Sequence, residues 1–183
     1  MTGFRSISIY VISGLLVLTS MVGAATAQTG SGPLVQELVD VMGEAGTDTA
    51  AARHPSVNDQ FVAVLLFPGR QLLVVTARYE SPSLLYQQLV EKNYRNIYMD
   101  LQSASIPESK VFIDDLGANG LVFVPGEGEP YDTFSDASGA TAFDGDWSAR
   151  DISEAEYTES FQEAEAIYVE LLRALIAEIQ GSA

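Results

Sequence analysis

The sequence predicts an α+β fold, on three observations. Phe61-Val-Ala-Val-Leu-Leu-Phe67 and Gln71-Leu-Leu-Val-Val-Thr-Ala-Arg78 are β-rich runs split by Pro68-Gly69-Arg70, the pattern of a hairpin. Their near-continuous apolarity calls for cover on both faces, with helices packed on at least one of them. The chain then ends in a capped, amphipathic helix. The expected architecture is one antiparallel sheet of about four or five strands. An N-terminal helix, a short middle helix and a long C-terminal helix pack on it. At 183 residues the chain fits one domain, on a prior of about 100–200 residues each.

The first segment reads as an address. Residues 1–27 hold no acid and one base, Arg5, followed by an apolar run from Ile7 to Val22 and then Ala25-Thr26-Ala27. A basic start, an apolar middle and small residues before the cut make a secretory signal peptide, with cleavage after Ala27. The rival, an uncleaved anchor, needs about 20 apolar residues, and this run is shorter. The expected location is therefore exported, periplasmic or extracellular, with no integral membrane segment once the leader is removed. Residues 28–32 read as a polar linker and 33–183 as the domain.

Pro33 suits the first turn of a helix. Leu34, Leu38, Val41 and Met42 recur at helical spacing, and Gly43 is expected to end that helix. Residues 46–58 read as loop. After the hairpin, Ser81-Pro82 opens a helix over 83–92. Alternation over 95–101 predicts a strand, as do the apolar residues of 111–114 and 121–124. The stretch 126–145 is rich in Gly, Asp, Ser and Thr and reads as a long loop, with a short strand near 141–143. Ser153-Glu-Ala-Glu156 is a capping box. Tyr157, Phe161, Ala164, Tyr168, Leu171, Leu172, Leu175 and Ile179 then form an apolar stripe, and Gly181 ends the helix.

Composition excludes several chemistries. The chain has no Cys and one His, so it has no disulfide framework, thiolate nucleophile or His-rich metal site. A net charge of −16 argues against binding nucleic acid, which takes a Lys/Arg surface. All 25 acids and eight of the nine bases follow residue 27, so the mature chain carries −17.

The candidate sites are four. His54, with Ser56 and Asp59 nearby, has the residue types of a triad crowded into one loop without a G-x-S-x-G elbow. It reads as a surface-loop histidine. Phosphate loops are absent, and Gly126-Glu-Gly128-Glu sets carboxylates where phosphate would approach. Between Asp114 and Asp151 lie nine acids and one base, Arg150. That acidic, loop-rich segment reads first as solvated surface, and second as a Ca²⁺ site at Asp144 and Asp146. Asp144-Gly-Asp146-Trp-Ser148 opens like an EF-hand loop, but Ala149 and Ala155 stand where Gly and Glu are needed. Residues 70–110, by contrast, hold five bases, four acids and four Tyr. If strands 71–78 and 95–101 are neighbours, Arg78, Tyr79, Arg95 and Tyr98 line one sheet rim. Such a rim suits a small anionic or planar ligand. The plainer reading pairs these Arg residues with Glu80, Glu91 and Asp100.

No complete catalytic set and no cofactor motif is present. The sequence is read as an exported acidic domain acting as a non-enzymatic ligand-binding or interaction module. The first alternative is an enzymatic or cofactor-binding domain with its site at the sheet rim. The second is a structural protein ordered by Ca²⁺. The C-terminal stripe is also a surface for self-association, unless it closes the chain's own core.

Overall fold

The computed structural model describes residues 30–78 and 111–181. Its elements are α1 (Ser31–Ala45), β1 (Thr49–Arg53), β2 (Gln60–Phe67), β3 (Gln71–Arg78), β4 (Val111–Leu116), β5 (Thr133–Asp136), β6 (Gly139–Ala142), a 3-10 turn (Ser148–Arg150) and α2 (Glu154–Gly181). The strands make one open antiparallel sheet in sequence order, β1 to β6. The α+β class stands, with six strands rather than four or five. The middle helix expected at 83–92 and the strand at 95–101 lie outside the described residues.

Alternation fixes which side of the sheet each residue serves. Val62, Val64, Leu72, Val74, Ile113 and Phe134 share one face by register. They join the core with Val35, Leu38 and Met42 of α1 and with Ala164, Tyr168, Leu171, Leu172 and Leu175 of α2. Ala63, Leu73 and Val75 on the opposite face are equally buried. The continuous apolar runs therefore match a hairpin covered on both sides. The apolar stripe of α2 is spent on its own sheet.

Helix α1 begins at Ser31, inside the stretch expected to be linker, because a tertiary carboxylate satisfies its first turn. Ser31 donates from both its N–H and its hydroxyl to Glu165 of α2. An anion at a helix N-terminus is favourable on dipole grounds as well. The helix also runs past Gly43. Gly46, at φ 66°, is the left-handed cap, and Thr47 N–H closes it on Met42 O at 3.0 Å.

Three further expectations are corrected. Residues 49–53, expected as loop, form β1. Ala50 and Ala52 have little strand propensity, but their small side chains sit in the core beside α2. Residues 121–124 form no strand, because Leu121 and Val122 spend their N–H groups on side chains of Ser31 and Asp132. The stretch 126–145 is not wholly loop. Thr133–Asp136 and Gly139–Ala142 pair as a hairpin, with Asp136 and Gly139 opposite each other. Its turn is held by the Asp136 carboxylate, which accepts from Ser138 N–H at 2.7 Å.

The capping box forms as read. Glu156 N–H donates to Ser153 Oγ at 3.2 Å, and Ser153 N–H donates to the Glu156 carboxylate at 2.7 Å. Downstream, Tyr157 packs edge-on against Phe123 and Phe143 at 5.1 and 5.9 Å. Its hydroxyl donates to Phe123 O at 3.0 Å and accepts from Gly145 N–H at 2.9 Å, which ties both flanking loops to α2. No helix among the described residues is long and apolar enough to cross a membrane.

Candidate functional site

The end of the β2–β3 ladder gathers polar groups on the helix-facing side of the sheet. Gln60 opens β2 and is the register partner of Arg78, which closes β3. Thr76 lies one step inward, opposite Val62 on one side and Val111 on the other. Gln60 is 2% exposed and Thr76 is fully buried. Yet Gln60 Nε2 and Thr76 Oγ1 have no hydrogen-bond partner among the described residues. Buried polar atoms are nearly always paired, so two neighbouring exceptions mark this spot. The sequence held a signal for them that composition hides. Thr76 interrupts an apolar run and Gln60 opens one, both at the same parity as the core residues Val62, Val64, Leu72 and Val74.

His54 adjoins this rim. Its backbone N–H donates to Gln60 O at 2.8 Å. Its Nδ1 accepts from Ser56 N–H at 3.1 Å, so the proton of the neutral ring sits on Nε2. Burial lowers the His54 pKa, against the opposing pull of Glu170. The Ser56 hydroxyl donates directly to the Glu170 carboxylate. A triad needs histidine between hydroxyl and carboxylate, and this ring accepts from a backbone amide instead.

Of the four rim residues singled out from sequence, the structure places Arg78 at this end of β3. Tyr79, Arg95 and Tyr98 lie outside the described residues.

The acidic segment divides into two kinds of carboxylate, and its reading as solvated surface fails at Asp115 and Asp132. Asp115 is fully buried and Asp132 is 2% exposed. Asp115 Oδ1 accepts from Asn119 N–H at 3.1 Å, and its Oδ2 accepts from Gly120 N–H and the Tyr168 hydroxyl at 2.9 Å each. Asp132 accepts from Leu116 N–H at 2.8 Å and Val122 N–H at 2.9 Å. Two carboxylates thus organise the loop 116–122 and fasten it to α2. Burial pushes the Asp115 pKa up against three donated hydrogen bonds. Burial, with the charges of Asp115 and Asp114 added, pushes Asp132 up to about 7.

That shift sets a sign for stability against pH. An acid whose folded pKa exceeds its unfolded one holds more protons folded than unfolded. Its contribution is complete below the unfolded value near 3.9 and is lost as pH rises through about 7. Chemical unfolding is expected to give a protein about 2 kcal/mol more stable at pH 5 than at pH 8, at roughly 1.36 kcal/mol per unit for one proton. Asp132→Asn is expected to flatten that slope. Stability that rises from pH 5 to 8 would refute the assignment.

Asp144 and Asp146 sit together, and both are engaged by protein donors. Arg150 forms a two-pronged ion pair with Asp144 at 2.7 and 2.5 Å. The guanidinium holds the Asp144 carboxyl down at about 2. Asp146 accepts from Ser148 Oγ at 3.0 Å and Ala149 N–H at 3.1 Å, the capping pattern of the 3-10 turn. Among the described residues no group of three or more His, Asp or Glu is arranged to hold a metal ion. The chain matches no family model, no curated protein and no solved structure.

Proposed function

We propose that the chain is an exported, non-enzymatic module that binds a small anionic ligand at the helix-facing end of β2 and β3. The observation that carries this reading is the pair of buried, unpartnered polar atoms, Gln60 Nε2 and Thr76 Oγ1, in register with Arg78. Each orphaned donor costs about 1–3 kcal/mol unless something accepts from it. A fold that keeps two of them adjacent carries that cost for a purpose, and an oxygen-bearing ligand supplies one. Arg78, the register partner of Gln60, brings a basic residue to this end of the ladder in a strongly acidic chain. Export is supported by the leader pattern of residues 1–27. The module reading is preferred over an enzyme because His54, Ser56 and Glu170 meet in an order that activates no hydroxyl.

The test is calorimetric titration of the protein with a panel of small organic and inorganic anions. At least one is expected to bind saturably, and Arg78→Ala is expected to weaken that binding about tenfold, the size of one charge-assisted hydrogen bond. Binding that ignores the substitution would move the site elsewhere, and a panel with no binder would end the proposal.

A further inference from the structure

The chain has four Asn residues, and Asn119 is the one followed by Gly. An Asn side-chain amide is open to attack by the backbone nitrogen of the next residue. Gly, with no Cβ, is the least hindered attacker. In that reaction the Gly120 nitrogen bonds to Asn119 Cγ and loses its proton, and the side-chain amide leaves as ammonia. Water then opens the five-membered imide at either carbonyl. One opening leaves an aspartyl side chain. The other routes the main chain through the side chain, as an isoaspartyl linkage. Water is the only co-reactant.

The fold exposes one reactant and withholds the other. Asn119 is exposed, and Gly120 is buried. Gly120 N–H donates to Asp115 Oδ2 at 2.9 Å, and Asn119 N–H donates to Oδ1 at 3.1 Å. Asp115 thus holds the proton that attack must release. The Gly120 peptide has no room to turn either. A Cβ on Gly120 would fall onto Gly32 N, so the backbone of α1 lies against it. Attack therefore requires the loop 116–122 to leave both Asp115 and α1, which is a local opening.

We propose that Asn119–Gly120 is a self-modification site held shut by Asp115, at which opening of the loop 116–122 leads to permanent conversion. The isoaspartyl product cannot close again. It adds one main-chain carbon between the two N–H groups that Asp115 binds, shifting Gly120 by about 1.5 Å where Gly32 leaves no space. Chemistry on the opened state turns a brief opening into a lasting one.

The test is peptide mass spectrometry of the full chain after warm incubation at mildly alkaline pH, with aspartyl and isoaspartyl products resolved. Conversion at Asn119 is expected to be at least about a hundredfold slower in the folded chain than in guanidinium, because only the open fraction reacts. Tyr168→Phe removes one hydrogen bond from Asp115 and leaves Asn119 and Gly120 in place. It is expected to speed conversion about tenfold. Ile176→Val, an apolar core change on the same helix, is expected to leave the rate within about twofold. Equal acceleration by the two variants would overturn the gate, since global unfolding would then control the chemistry. Equal rates in the folded chain and in guanidinium would overturn it as well, and no conversion in guanidinium would remove the site. Refolding separates the two products. Asn119→Asp is expected to refold as the parent does, while isoaspartyl chains stay in the unfolded fraction. Isoaspartyl chains that refold fully would overturn the permanence of the opening.

Discussion

Asp115→Ala is expected to destabilise the fold by about 3–5 kcal/mol, the range for breaking a buried, fully donated carboxylate. The carboxylate is the point where three separate parts of the chain meet. It leaves β4, gathers the backbone N–H groups of Asn119 and Gly120, and takes the hydroxyl of Tyr168 from α2. Alanine would strand all three donors, at about 1–3 kcal/mol for each one that water cannot reach. An opposing term keeps the total from rising further. Burial raises the pKa of Asp115, so the native carboxylate already bears a desolvation cost that alanine relieves. Tyr168→Phe deletes only one of the three bonds and is expected to cost about 1–2 kcal/mol. Denaturant unfolding of both variants checks the ranking. A loss below about 1 kcal/mol for Asp115→Ala would mean that the loop re-forms with water in place of the carboxylate.

How much of this was legible depends on how locally each feature is encoded. The β2–β3 hairpin and α2 were, because their signals lie within a few residues. Apolar runs around Pro-Gly give the hairpin, and a Ser-x-x-Glu box ahead of a stripe gives the helix. β1 was not, because three alanines carry no strand signal. They become a strand only once β2 offers an edge and α2 needs a thin neighbour. The hairpin of β5 and β6 was hidden for a related reason, since Thr, Ser, Gly and Ala resemble loop composition until a partner strand is supplied.

The acids teach the same lesson about function. Counting nine carboxylates in one segment cannot separate Asp136, whose carboxylate holds a surface turn, from Asp115 at zero exposure. Parity can, in part. Asp115 follows Ile113 on the helix-facing side of β4, just as Gln60 and Thr76 fall in step with the core residues of β2 and β3. That Gln60 Nε2 and Thr76 Oγ1 have no partner among the described residues is a property of the assembled sheet and has no local signature. The contact of Ser31 with Leu121 spans 90 residues and has none either.

That long-range contact depends on a glycine, and Gly120→Ala is expected to be as damaging as the loss of Asp115. Gly120 sits at φ 91°, where a side chain is strained. A Cβ there would fall onto Gly32 N and lie 2.6 Å from both Gly32 Cα and Ser31 Oγ. Those neighbours cannot step aside cheaply, because two are backbone atoms in the first turn of α1. Gly32 is constrained in return, since its own Cβ would lie 2.8 Å from Asn119 O. Moving α1 away would break Leu121 N–H to Ser31 Oγ at 2.9 Å and loosen the Ser31–Glu165 contact that starts the helix. Moving the loop instead would pull Gly120 N–H off Asp115. Overpacking of about 1–3 kcal/mol and left-handed strain of about 1–2 kcal/mol together give a loss of about 2–5 kcal/mol. Gly128 supplies the control. It has a positive φ of 79° with nothing near its Cβ position, so Gly128→Ala carries the strain alone, about 1–2 kcal/mol. Equal losses for the two variants would show that φ accounts for everything and that the α1 backbone does not approach the loop as closely as the structure places it. A gap of 2 kcal/mol or so would show that the close approach at Gly120 is what couples α1 to the Asp115 loop.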